Sequence, residues 1–348
     1  MFVAGIVPTR AAFTSLFIFG DGLSTTTNNA STGPLYYGKR YSNGRVWVEV
    51  LAQRQGLLYD SNKNWSYFYN SSTTLVTHVS NFNAPADASN ALFVVWVNCA
   101  DLWFPAYLNP GNMSVWTNAI NRSQANHFLA VSNLYFTKGA RTLIMPNAVD
   151  LSTIPEFNNS SYANFTHLRC LEYNAAFSNT LNQIRASCPD LKLYTPDFFG
   201  LLTNMLAHPT DYGLTNALGN GKSIDALRAQ NYGMPSAATN GFGTNFIFWN
   251  LNNPTAMVHT WMANMVQQMI SPVRLSQLTV LVGSNRLDLA NVPIGQNGLV
   301  LACSNLLSPA WQTNVTLIGT DATQSVYVSN PDPLAYYRLK CLYSWVWP

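Results

Sequence analysis

Ser15-Leu16-Phe17-Ile18-Phe19-Gly20-Asp21-Gly22-Leu23-Ser24 is the stretch that decides how the rest of this chain is read. Its first half is an apolar run without the alternation of a half-exposed strand. Such a run suits a parallel strand buried on both faces, and Gly20-Asp21-Gly22 supplies the turn that ends it. Three further runs have the same form: residues 91–97 (ALFVVWV), 141–145 (RTLIM) and 191–194 (LKLY). Between them apolar positions recur at helical spacing, which predicts helices over 46–53, 115–136, 165–187, 197–205 and 255–270, the last stopping before Pro272. Residues 245–249 (NFIFW) form one more short apolar segment. Strands alternating with long helices predict an α/β fold, a three-layer α/β/α sandwich with a parallel sheet.

Beyond Pro272 the pattern changes. Residues 275–282, 298–303, 314–318, 325–328 and 336–345 are short strand-like runs separated by turn residues, with no helix signal. They predict a small C-terminal antiparallel β domain of sandwich type. The expected organisation is an N-terminal arm over 1–14, an α/β domain over 15–272 and a β domain over 275–348, jointed at Ser271-Pro272.

Composition narrows the function classes. Only 9% of the 348 residues are charged, against about 25% in an ordinary soluble domain. With 10 Trp, 17 Tyr, 18 Phe and a net charge of +3, the chain is globular rather than disordered, and little self-repulsion opposes self-association. No Lys/Arg cluster exists, which argues against a nucleic-acid partner, and no apolar stretch is long enough to span a membrane. The opening MFVAGIVPTRAAFT is broken by Pro8 and Arg10 and reads as a poor signal peptide. The five cysteines form no CxxC pair and the histidines have no metal-ligand spacing, so neither a metal site nor a cofactor is expected. Cys303 with Cys341, and Cys170 with Cys188, are candidate disulfides, with free buried thiols the equal alternative. Sequons stand at Asn29, Asn64, Asn70, Asn112, Asn121, Asn158, Asn159, Asn164 and Asn314, compatible with a glycosylated extracellular or cell-surface protein.

Four blocks, in order, carry a family resemblance. FGDGLS at 19–24 resembles the FGDSLS block of GDSL/SGNH hydrolases. YSNGRVWV at 41–48 resembles the second block, VWVNCADLW at 95–103 the GxND block, and FWNLNNPT at 248–255 the closing DxxHPT block. The resemblance is to the bacterial secreted type with a C-terminal β domain, the Tyr336-Tyr337-Arg338-Leu339 segment included, and implies an SGNH-like fold.

The same resemblance marks what is missing. It places the family's nucleophile at Gly22, its Asp at Asn250 and its His at Asn253. Its oxyanion-hole positions are Gly22, Gly44 and Ala100, and the Gly of its third block is Asn98. Glycine cannot form an acyl-enzyme, and asparagine cannot shuttle a proton or stabilise an imidazolium. The change at Ala100 removes a donor worth about 100-fold in comparable sites. Asp21 and Asp101 persist as retained motif residues with an expected structural role. Ser24 reads as a turn or cap residue, His259 as a core histidine, and His208-Pro209-Thr210 as a chance copy of the closing block, with Met205 where its Asp belongs. His78, His127 and His167 read as scattered singles.

The expectation is a pseudoenzyme: a non-catalytic extracellular protein that self-assembles or binds carbohydrate. Residues 64–70 (NWSYFYN) and Trp103-Phe104 are the aromatic candidates for sugar contact. The segment 1–12 is the candidate for strand addition to a second copy, a route to filaments. The alternative is an active serine esterase or lipase with a relocated triad, acting on carboxyl or carbohydrate esters.

Overall fold

A computed structural model describes residues 13–30, 35–214, 218–219, 222–229, 245–292, 294–295, 297–329 and 335–342. The arm at 1–12 and residues 343–345 of the last predicted strand lie outside that set.

The sheet follows the apolar runs. Strands β1 (Leu16–Gly20), β2 (Leu92–Trp96), β3 (Thr142–Ile144) and β4 (Lys192–Tyr194) pair in parallel in the order β1-β2-β3-β4. Every residue of β1, β2 and β3 is buried, so helices cover both faces. This is the expected three-layer α/β architecture. The helices are α1 (Trp47–Arg54), α2 (Ser72–Asn81), α3 (Asn98–Leu108), α4 (Met113–Phe136), α5 (Ala163–Ser187) and α6 (Phe198–Ala207). A two-residue hairpin, β5 (Leu218–Gly219) with β6 (Lys222–Ser223), precedes the one-turn α7 (Ala226–Ala229), and α8 (Ala256–Ile270) closes this part of the chain. Helices α2 and α3 were not foreseen. In α2 Ser and Thr hide the apolar spacing of Leu75 and Val79, and in α3 Pro105 sits inside the helix. Residues 245–249 form no strand; they run buried beneath α8, with Phe248 bridged to Asp225 and Pro254.

The core is built on aromatics. Trp96 of β2 lies edge-on to Trp47 of α1 (5.9 Å between centroids) and to Phe198 of α6 (5.0 Å). Phe19 stacks on Trp65 at 5.0 Å, so that tryptophan of the 64–70 segment serves the core. Side chains of this size contribute the largest single burial terms in a fold, about 2–3 kcal/mol each relative to exposure.

After Pro272 come β7 (Arg274–Leu281), β8 (Ser284–Ala290), β9 (Asn297–Cys303), β10 (Gln312–Ile318), β11 (Thr323–Ser329) and β12 (Tyr336–Leu342). They form two antiparallel three-stranded sheets, β10-β9-β12 and β11-β8-β7, around Leu287, Leu289, Val300, Leu317, Val326 and Val328. Strand β8 was not foreseen from the sequence. Its burial nevertheless alternates strictly, with Leu287 and Leu289 facing inward. Cys99, Cys170, Cys188 and Cys303 are buried free thiols, so neither candidate disulfide forms.

Candidate functional site

The turn after β1 opens into a cleft walled by the start of α3, by α6 and by α8. Counting the open space at its mouth, it spans about 780 Å³. Gly22, Ala100 and Asn253 all line it, as does Asp21. Three of the four blocks that the sequence singled out therefore converge on one place. Gly44 is buried but does not line the cleft, and Asn98 turns away, its Nδ2 donating to the Pro146 carbonyl at 2.9 Å.

Beside Gly22, where the resemblance puts the nucleophile, stands a phenylalanine. A β-carbon on Gly22 would lie 2.8 Å from Phe68 Cδ2, closer than real side chains approach. The ring of Phe68 thus fills the volume in which a serine hydroxymethyl would stand. Tyr69, the next residue, has φ +68°, the left-handed conformation that costs a bulky residue about 1–2 kcal/mol.

Asn250 and Asn253, where the resemblance puts the acid and base, are two neutral amides, of which Asn253 lines the cleft. Asn253 donates from Nδ2 to Asn250 Oδ1 at 3.0 Å, and the same oxygen accepts the backbone N–H groups of Asn252 and Asn253. Asn250 also donates to the Tyr36 hydroxyl at 3.3 Å. The pairing retains a residue-to-residue hydrogen bond between the two positions without a titratable proton.

The two retained aspartates each accept hydrogen bonds from the fold itself. Asp21 accepts the Leu23 N–H at 3.0 Å; burial pushes its carboxyl up to about 7, while the backbone N–H groups of Leu23 and Ala100 restrain the rise. Asp101 points away from the cleft and accepts from Ser72 and from the Ser123 hydroxyl at 2.6 Å. Burial raises its pKa against the pull of His127, which burial keeps neutral. His127 is therefore part of a buried network with Ser123 and Tyr173, a link that spacing in the sequence does not reveal.

Among the described residues lining the cleft there is no Ser, Thr, His, Lys, Arg or Glu. Ser24 is fully buried and its hydroxyl accepts the Trp47 indole N–H at 3.0 Å. His259 is buried on α8, held neutral with its pKa driven down to about 3 by desolvation, and His208 is exposed outside the cleft. Cys99 is in the wall, but burial and the neighbouring Asp21 push its thiol up, away from thiolate. His167 pairs with the buried Asp150 at 2.6 Å, apart from the cleft lining.

The rim of the cleft is aromatic, and here the two candidate segments meet. Tyr69 lies 4.9 Å from Trp103 and 5.3 Å from Phe104, and Trp103 stacks on Tyr107 at 4.5 Å. Tyr69, Phe104 and Tyr107 are exposed, and Trp103 donates its indole N–H to Asn252 Oδ1 at 3.1 Å.

The sequons separate into two groups. Asn29, Asn64, Asn70 and Asn158 each donate from Nδ2 to partners inside the fold, so these four amides are not available for a glycan in the folded chain. Asn314 is half-buried with its Nδ2 donating to the Ser329 carbonyl, while Asn112, Asn121, Asn159 and Asn164 are exposed. Among the described residues no helix is long and apolar enough to cross a membrane.

Comparison with known proteins agrees with the block order. The family model described as GDSL-like lipase/acylhydrolase matches residues 16–266. Phosphatidylcholine-sterol acyltransferase of Aeromonas hydrophila is 24% identical over 229 residues, covering 60% of this chain and 65% of that protein, so the chain spans just under two thirds of its length. Among solved structures, a catalytic mutant of an acetylxylan esterase from Geobacillus stearothermophilus aligns over 75% of this chain and 96% of its own, with 12% identity and a TM-score of 0.42. A lipase from a goat rumen metagenome aligns over 74% of this chain and 97% of its own, with 12% identity and a TM-score of 0.43.

Proposed function

Since this chain belongs to the GDSL-like lipase/acylhydrolase family, we propose that it is a member that binds where its relatives hydrolyse. The observation that carries the reading is the Phe68 ring in the nucleophile's volume beside a glycine. Losing a hydroxyl removes the attack; filling its place with a ring also excludes a water that might substitute for it. The neutral Asn250–Asn253 pair offers no base to activate one.

What the cleft retains suits an uncharged ligand with an apolar face. Apolar walls and an exposed aromatic rim are the surfaces on which sugar faces and apolar rings stack, and Asn252 adds a polar contact. A carbohydrate or carbohydrate ester is the class we favour. The reading includes an extracellular, surface-associated location, glycans at the exposed sequons, self-association, and the division into an α/β domain over 15–272 and a β domain over 275–348. The scarcity of charge supports self-association, and the segment 1–12 is one route to it. The competing reading is an ester hydrolase like the relatives, and it requires a nucleophile other than residue 22.

The deciding experiment is hydrolysis of p-nitrophenyl acetate and butyrate by the native chain. It is run beside Gly22→Ser/Asn250→Asp/Asn253→His, with and without Phe68→Ala. The native chain is expected to stay at the uncatalysed rate, and Phe68→Ala to be needed before the restored triad turns over. Saturable native turnover that a serine-trapping reagent abolishes would sink the proposal.

A further inference from the structure

Among the described residues, one strand of the β region is left uncovered. In β8 the inward residues Asn285, Leu287 and Leu289 are buried; their cross-strand partners in β7, Val280, Leu278 and Leu275, are 72%, 48% and 49% exposed. These three share the inner face of the sheet, yet none joins the buried core. Strand β7 is also the edge of its sheet, and among the described residues nothing pairs with its outer side. At the hairpin tip Leu281 and Val282 add further exposed apolar surface.

Edge strands ordinarily carry devices against pairing: charges, prolines, bulges or short length. The edge strand β12 has Arg338 and Lys340. In β7 the only charge is Arg274 and the only irregularity lies between Leu275 and Gln277. From Gln277 to Leu281 the strand is regular and uncharged, with Leu278 and Val280 apolar on its inner face.

We infer that the β7 edge is the pairing surface for a second copy of this chain, joined antiparallel about a two-fold axis. This rests on the self-association part of the function proposed above. The strand is complementary to itself. Centred on Thr279, antiparallel pairing sets Leu278 of one copy against Val280 of the other on the inner face, and Gln277 against Leu281 on the outer face. A two-fold contact needs only one patch that matches its own copy. The exposed apolar residues from Leu275 to Val282 present on the order of 500 Å² per copy. Burying both sets removes on the order of 1,000 Å², where specific interfaces begin, and the two edges exchange backbone hydrogen bonds in addition. With Arg274 alone on the strand, little charge repulsion opposes the pairing.

Sedimentation velocity of the full chain over a concentration series tests this, with Leu278→Lys and Val280→Lys beside it. Val280 is the more exposed of the two, so its variant remains informative if Leu278→Lys folds poorly; unchanged circular dichroism and Tm establish folding. The expected result is a native dimer of twice 38.5 kDa, weakened at least about tenfold by either lysine and unaffected by deleting residues 1–12. Loss of the dimer on deleting 1–12, with both lysine variants still dimeric, overturns the β7 pairing while self-association through the arm stands. A native chain that is monomeric throughout overturns both, as does one that dimerises only when residues 343–348 are removed, since those residues then cover β7 within one copy. None of these outcomes bears on the hydrolysis assay, which tests the cleft separately.

Discussion

The two halves of this molecule hold themselves together by different means. The α/β body encloses a continuous core in which Trp47, Trp96, Trp116 and Trp249 are all buried, and its sheet is covered on both faces. The β region rests on a core cluster of seven buried side chains; β12 packs Tyr337 and Leu339 against it, and β7 adds no residue to it. Among the described residues, nothing covers the apolar face of β7 or pairs with its free edge. The difference teaches that one fold can be complete by itself while the other presents an unfinished surface, and that only the second invites a partner.

Truncating one side chain on each side is the harshest test of that contrast. Trp96→Ala removes an indole packed between Trp47 and Phe198 and is expected to cost about 3–5 kcal/mol in chemical denaturation. Leu287→Ala in the β core is expected to cost about 2 kcal/mol, the low end for such a change, because the uncovered side of its sheet lets neighbours close the hole. Equal costs would show that the β region is as tightly closed as the body.

Acid sharpens the contrast, because the body alone holds a fully buried histidine with its pKa near 3. Below about 6.5 the unfolded chain takes up a proton at His259 that the folded chain refuses, so the stability tied to the neutral imidazole is lost as pH falls towards 3. Relative to native, His259→Leu should gain about 1.4 kcal/mol for each pH unit below 6.5, close to 3 kcal/mol at pH 4.5. A difference independent of pH would show that the imidazole protonates in the folded state. Asp21 works in the opposite sense, its protonated form favouring the fold below about 4 and that contribution fading as pH rises through 7, so the histidine variant isolates one slope from the other.

The smallest of these effects lies in the cleft. Gly22→Ser alone should cost about 1–3 kcal/mol from crowding against Phe68, and Phe68→Ala should cancel most of that crowding in a double-mutant cycle. Strict additivity would mean that the ring moves aside freely.

Much of this was legible in advance, and for physical reasons. The strands of the parallel sheet announced themselves because burial on both faces demands unbroken apolar runs, as in LFVVW of β2. Three of the four blocks met at one cleft because each sits at a turn or helix start that the sheet brings together, and the second packs behind the closing block through Ser42 and Asn43. Strand β8 escaped notice because its alternation rests on only Leu287 and Leu289. Phe68 was named as one of several aromatics, but its role depends on the distance to a glycine 46 positions earlier, which no local pattern encodes. Likewise Ser123, His127 and Asp101 are joined only by the packing of α3 against α4.

The ring beside Gly22 also gives the site a direction in time. Restoring a serine there while the ring stays strains the fold, whereas shrinking the ring first opens a hole that nothing yet fills. The acid and base must return together as well, since either alone faces a neutral amide. On the function proposed above, each single step back loses stability without gaining turnover, and the pocket acts as a ratchet: a chain that had crossed from cutting to holding would not drift back one substitution at a time.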